Sequence, residues 1–237
     1  MELLENESLE LTVLMPCLNE SATLAFSVEE AFRFLREKQL RGEVLVADNG
    51  STDGSAALAE QCGARVVTEK RRGYGAALRC GIANARGRYI LFGDCDTTYD
   101  FYHLDGLYRA LTEGADAVIG DRFAGGIEPG AMPLSHRWGV RFLSLCGRLK
   151  FHTDIRDFHC GLRGLSRAAA ERVDFHTDGM EFATEFIAVL LKNGCRIAQV
   201  PVPLRRCRAE RRPHLRTIPD GLRHLRFILS SSQCSLF

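Results

Sequence analysis

Asp94 and Asp96 stand one residue apart at the end of a short apolar run, Tyr-Ile-Leu-Phe-Gly-Asp-Cys-Asp at 89–96. In extended chain, alternate side chains share a face, so the two carboxylates can aim at one hard cation just past a strand end. A divalent ion gripped that way keeps positions for water and substrate phosphates, which makes the pair a candidate diphosphate anchor. Acidic turns also arise from turn chemistry alone, so the neighbours must decide. Three other polar clusters follow apolar runs: Asn19 and Glu20 after 11–16, Asp48 to Asp53 after 43–47, and Asp121 with Arg122 after 115–120.

The elements that must position these clusters alternate. Apolar runs at 11–16 and 43–47 read as buried parallel strands. Between them Leu24, Val28, Ala31, Phe32 and Leu35 recur at helical spacing, predicting a helix over 21–39 with Ser21 as its cap and Gly42 as its stop. Helices over 55–61 and 75–85 and strands over 64–68, 88–92 and 115–120 continue the pattern. A mostly parallel α/β sheet follows, and ligands in such sheets collect outside the carboxyl ends of the strands. After Phe123 the pattern changes to a Gly- and Pro-containing loop at 124–132 and an amphipathic helix at 134–149 carrying Trp138. A compact polar run at 157–164, a helix at 181–192 and a strand at 196–200 then precede an Arg-rich tail. One domain over 1–237 is expected, its first half at about 10–121 nucleotide-like, its second at about 122–204 acceptor-like, with a basic tail at 205–237.

Composition narrows the function classes. With 46% hydrophobic and 26% charged residues the chain can bury a core. Its nine cysteines are scattered without paired CxxC spacing, which argues for reduced thiols and against a zinc site. The start, Met-Glu-Leu-Leu-Glu-Asn-Glu-Ser, has no basic or apolar leader and no run is long enough to span a bilayer, so a cytoplasmic protein is expected. Net charge is +1, but residues 205–226 alone carry +6. Such a patch suits an anionic membrane face or a phosphorylated substrate. Nucleic acid is disfavoured, because no aromatic residues interleave the Arg run as a stacking platform.

The runs Val-Leu-Met-Pro-Cys-Leu-Asn-Glu at 13–20, Val-Ala-Asp-Asn-Gly-Ser-Thr-Asp at 46–53, Gly-Tyr-Gly-Ala-Ala-Leu at 73–78 and Gly-Asp-Cys-Asp at 93–96 resemble family 2 glycosyltransferases of the GT-A fold. The later runs Asp-Phe-His-Cys-Gly-Leu-Arg-Gly and Gly-Met-Glu-Phe-Ala-Thr-Glu look like the dolichyl-phosphate mannose or glucose synthase branch. The resemblance implies inverting transfer of a hexose from a UDP- or GDP-sugar. It places Pro16, Leu18, Glu20, Asp48 and Asn49 at the nucleoside, with Gly75, Asp94 and Cys95 completing the donor site. Asp94 and Asp96 would hold Mg²⁺ or Mn²⁺, oxygen ligation favouring these ions. Arg208 and Arg212, with His214, would fold over the diphosphate as a lid.

For an acceptor phosphate, Arg forks supply matching positive charge. Arg122 and Arg137 match acceptor positions of the synthase branch, and Arg163 joins them from its placement in Gly-Leu-Arg-Gly. Asp157 and Glu181 would orient sugar hydroxyls or act as base, with His159 either a rival base or a structural histidine. Two departures from the family pattern stand out. Tyr74 occupies a position where many relatives carry Lys, and the chain stops at Phe237 where many continue into membrane helices. The segment 222–229 reads either as a basic amphipathic helix on a membrane or as a helix packed on the body. The acceptor is therefore polyprenyl phosphate reached at a membrane face, or a soluble small molecule. A non-catalytic nucleotide-binding module is the reading from another class. Oligomeric state is not legible.

Overall fold

The computed structural model describes residues 9–209 and 217–230. Arg212 and His214 of the expected lid lie outside them. In chain order the elements are β1 (Leu11–Cys17), α1 (Leu24–Glu37), β2 (Gly42–Asp48), α2 (Ser55–Gln61), β3 (Arg65–Thr68), α3 (Tyr74–Asn84), β4 (Tyr89–Phe92) and α4 (Asp105–Thr112). The second half adds β5 (Ala117–Asp121), α5 (Arg122–Gly125), α6 (Leu134–Phe151), β6 (Arg163–Ser166), α7 (Arg167–Ala170), α8 (Phe182–Lys192), β7 (Ile197–Pro201) and α9 (Thr217–Ser230).

The strands make one sheet in the order β3-β2-β1-β4-β6-β5-β7. β1 lies parallel between β2 and β4, and β5 is parallel to β7. β6 alone runs antiparallel, wedged between β4 and β5. Its sequence, Arg-Gly-Leu-Ser, has neither alternation nor an apolar run, which is why strand periodicity does not reveal it. The register aligns Cys17 with Asp48 and Asp48 with Thr68, so the first three parallel strands end at one level. Buried Leu, Val, Ile and Phe from both faces of this sheet meet the helices in one continuous core.

Two local expectations change. α1 begins at Leu24 rather than Ser21, whose amide is taken by Asp53 at 3.0 Å. Gly42 opens β2 instead of stopping α1, because a Cβ there would lie 2.8 Å from the Leu11 carbonyl oxygen and closer still to Leu35. Elsewhere glycine permits close helix packing. A Cβ on Gly147 of α6 would fall 2.6 Å from the Phe158 ring, and one on Gly75 of α3 would fall 2.4 Å from the Thr177 carbonyl oxygen. The sequence expectation that Gly75 faces the donor therefore gives way to a packing role, holding α3 against the 177–179 backbone.

Gly75→Ala is expected to lower stability by roughly 1–3 kcal/mol through that overlap. Gly139→Ala, at a helical position with open space around the added Cβ, should instead raise it by roughly 0.5–1 kcal/mol. Urea denaturation of both variants checks the pair.

Candidate active site

Two strand-end loops are stitched together at one end of the sheet. Asn19, at φ +56°, accepts from Thr52 N at 2.8 Å, and its own amide donates to Ser51 Oγ at 2.9 Å. The Glu20 amide donates to Ser55 Oγ at 2.9 Å, and Asp53 takes the Ser55 hydroxyl at 2.6 Å. Asp48 is buried and accepts from the amides of Gly50 and Ser51. Asn49 uses its whole amide on the chain, donating to the carbonyls of Glu69 and Arg71 and accepting from Gly73 N at 2.7 Å. Asp48 and Asn49 thus hold the loops of the crevice, and Asn49, with its side-chain amide fully used, is not free for the direct nucleoside contact expected of it. Pro16 and Leu18 are half-buried on the same rim.

The acidic pair sits just beyond β4, with Asp94 ahead of a turn over 95–98 and Asp96 inside it. Thr97 has φ +66°, and Asp96 Oδ1 accepts from Thr98 N at 3.0 Å and from the Thr98 hydroxyl at 2.5 Å. Asp96 is therefore oriented by an Asp-Thr turn and not by strand alternation. The turn is latched to the body through Cys95, whose thiol donates to the Pro16 carbonyl oxygen and whose carbonyl accepts from Ser27 Oγ at 3.0 Å. Asp94 is flanked on two sides. A Cβ on Gly161 would stand 2.6 Å from Asp94 Oδ2, and the Tyr74 phenol lies near enough to feel the Asp94 charge. Burial first, then the Asp94 charge, push the Tyr74 phenol well above its ordinary range, so it stays a donor. The donor set is oxygen-only, and among the described residues no third Asp, Glu, His or Cys joins it into a metal cluster. Asp94 and Asp96 would be the residues to hold a divalent ion, which oxygen donors suit.

In the second half of the chain a buried ion pair organises the surrounding turns. Arg122, directly after β5, donates to Asp157 Oδ2 through Nε at 2.7 Å and to Oδ1 through Nη2 at 2.8 Å. The same carboxylate accepts the amides of Arg122 and His159 at 3.3 and 3.2 Å, and its side chain is 0% exposed. Asp157 is consequently no base and no hydroxyl ligand. All its lone pairs are committed, and it positions Arg122 and His159. Arg163 is corrected in the same way. Its guanidinium is buried and donates to the carbonyls of Cys160, Ala183 and Phe158, so it locks the 158–163 turn onto α8 and does not reach an acceptor phosphate.

Among the described residues, the buried polar side-chain atoms left without a hydrogen-bond partner are Arg137 Nε, Glu181 Oε2 and both ring nitrogens of His159. Native interiors leave few such groups, and those they leave call for a ligand, a water or a functional reason. A cavity of about 330 Å³ lies between α6, α8 and α9. Arg122, His136, His159, Asp220 and His224 line it among otherwise apolar side chains such as Phe142, Leu143 and Met180. The His159 and His224 rings meet edge to face at 4.4 Å, and His224 Nδ1 pairs with Thr184 Oγ1 at 2.9 Å. Burial, then Arg163, pull His224 down to about 4, so it is neutral at physiological pH.

The segment after β7 crosses the acidic turn. Arg205 pairs with Glu30 at 2.9 Å and with Asp100, and its amide donates to the Thr98 carbonyl oxygen. The Arg208 amide donates to Thr97 Oγ1 at 3.0 Å, and its guanidinium lies 3.8 Å from the Phe26 ring centroid. Sequence reasoning passed over Arg205, His224 and the Tyr74–Asp94 contact. Only the position of Tyr74 within Gly-Tyr-Gly signalled any of them.

The family model for Glycosyl transferase family 2 matches residues 12–174. The low-salt glycan biosynthesis hexosyltransferase Agl6 of Haloferax volcanii is 37% identical over 229 residues, covering 96% of this chain and 55% of that protein. The glycosyltransferase AglJ of the same organism is 35% identical over 190 residues, covering 80% of this chain and 61% of its own length. The chain thus spans between half and two thirds of these relatives. Among solved structures, mannosyl-3-phosphoglycerate synthase from Rubrobacter xylanophilus superposes with a TM-score of 0.74 at 23% identity, covering 93% of this chain and 72% of that one. The fold is GT-A, as the motifs imply. Since the family pattern runs from the first strand through Asp174 and so takes in the stitched loops, the acidic turn and the Arg122–Asp157 pair, the chain belongs to glycosyl transferase family 2.

Proposed function

We propose that this chain moves a hexose from a nucleotide diphosphate sugar onto the phosphate of polyprenyl phosphate, with inversion at the anomeric carbon, at a membrane face. The observation that carries the acceptor is the apolar cavity with Arg122 in its wall. Phe142 and Leu222 belong both to that wall and to an exposed apolar stripe. On α6 the stripe runs Leu134, Trp138, Phe142, Leu145 and Leu149, all between 48% and 72% exposed, and α9 adds Leu222 and Leu229. Exposed Arg141, Arg148, Arg223 and Arg226 share these two helices. A basic helix with Trp and Leu on one face suits the headgroup boundary of an anionic bilayer. No helix among the described residues is long and apolar enough to cross a membrane. The names of two relatives support the same acceptor. A dolichyl-phosphate hexose transferase of Haloferax volcanii is 29% identical over 83% of both chains, and a yeast dolichyl-phosphate beta-glucosyltransferase is 26% identical.

In this reading the stitched loops at 19–21 and 48–55 hold the nucleoside, and Asp94 and Asp96 face the donor diphosphate. A divalent ion on that pair supplies Lewis-acid stabilisation of the charge on the departing diphosphate. Arg205 and Arg208 fasten the chain across the acidic turn and keep water from the donor. Arg122, aimed by Asp157, grips the acceptor phosphate, with Arg137 assisting. A phosphate monoester has its second pKa near 6 and attacks as an anion, so no carboxylate base is required. That agrees with an Asp157 whose lone pairs are spent. Glu181, with Oε2 unpaired, is the group left to orient a sugar hydroxyl.

Asp96→Asn is expected to cut sugar transfer at least roughly a hundredfold while the urea midpoint stays near wild type. Full turnover of that variant at saturating Mn²⁺ would overturn the metal anchor. Stripping the wild-type enzyme with EDTA should silence it, and Mn²⁺ or Mg²⁺ should restore it.

Wild-type protein should sediment with anionic liposomes at low salt, and Trp138→Glu combined with Leu145→Glu should leave it in the supernatant. A wild type that ignores the vesicles would move the acceptor to a soluble molecule.

A further inference from the structure

His159 carries a cost that the fold does not explain. Its imidazole lies in the cavity wall with both ring nitrogens buried and unpartnered, although its backbone is held firmly by Asp157. A neutral imidazole has one N–H to donate and one lone pair to fill, and a finished core satisfies both. Here neither is satisfied. The ring is nonetheless well placed. The edge of His224, itself tied to Thr184, meets it at 4.4 Å. Below, one carboxylate oxygen, Asp157 Oδ1, receives both the His159 amide and the Nη2 of Arg122. The imidazole and the guanidinium are therefore two arms of one support, and both residues belong to the wall of the same cavity. Burial first, and then His224, Arg163, Arg122 and His136, hold the ring neutral.

We propose that His159 is a contact residue for the acceptor headgroup, its ring N–H donating to a phosphate oxygen beside Arg122 and so selecting a phosphorylated prenyl chain over the free alcohol. The inference rests on the acceptor proposed above and adds to it a residue and a selectivity. A neutral donor suits that place, because it adds a hydrogen bond without further charge in a cavity already containing a buried cation. Its unfilled hydrogen-bonding capacity in the free protein is the mark of a site completed by ligand.

The test is titration calorimetry of farnesyl phosphate and of farnesol into wild type, His159→Phe and His159→Gln, with thermal melts of each ligand-free protein. The expected result for His159→Phe is an affinity for farnesyl phosphate at least about tenfold weaker, with farnesol unchanged and Tm equal to or above wild type, since the orphaned nitrogens are gone. His159→Gln keeps an N–H and should stay within about threefold of wild type for farnesyl phosphate. If His159→Phe does not fold, His159→Leu takes its place beside the Gln variant. Farnesyl phosphate bound as tightly by the apolar variant as by wild type would overturn the inference alone, with any water at the ring then explaining its nitrogens. An equal loss for both ligands would do the same by showing a packing role. A wild type that binds farnesyl phosphate no better than farnesol would instead overturn the acceptor reading, and this inference with it.

Discussion

The Arg122–Asp157 fork is the constraint on which the second half of the molecule depends. Arg122 leaves β5 and Asp157 precedes β6, so the pair ties together two neighbouring antiparallel strands at the end where the site lies. Desolvating two charges costs about as much as their attraction returns, so such a pair adds little net stability. Breaking it is another matter, because the survivor would be a buried, uncompensated charge costing about 3–5 kcal/mol. Its worth is positional. Four hydrogen bonds converge on one carboxylate, and they fix a cation, an imidazole and the turn that carries Gly161 against Asp94.

The donor half is held by other means. Asn19, Asp48, Asn49, Ser51, Asp53 and Ser55 bond to backbone amides, carbonyls and one another, building loops with short side chains. Short side chains lose little entropy when fixed, and their bonds define loop shape closely. A crevice built this way presents mostly dipoles, which suits a nucleoside.

Much of this was legible in the chain, for identifiable reasons. Buried parallel strands announce themselves as apolar runs, so 11–16 and 43–47 were readable to within a residue or two of β1 and β2. Asp94 and Asp96 were visible because they follow such a run. What misled was the step from residue type to task. Asp157 and Arg163 look chemically available in sequence, but tertiary packing spends every lone pair of one and the donors of the other on the protein itself. Asn49 and Gly75 were marked by family motif and serve the loops and helix packing. β6 was invisible since four residues lack a period, and its pairing depends on Phe92 lying opposite Arg163 across the sheet.

Tyr74 shows how one substitution redistributes charge across the site. A lysine at that position would place a cation near the donor phosphates, whereas the phenol beside Asp94 adds no charge. Under the proposed reaction, the negative charge growing on the diphosphate must then be met by the ion on Asp94 and Asp96 and by the arginines after β7. Arg208 is placed for this, its amide on Thr97 of the acidic turn itself. Arg205, paired with Glu30 and Asp100, acts as the clasp, because a guanidinium already held by two carboxylates has little charge to offer a phosphate. On that reading the neutral phenol leaves more of the donor's charge to Arg208 than a lysine would, and it sets Asp94 beside the first turn of α3.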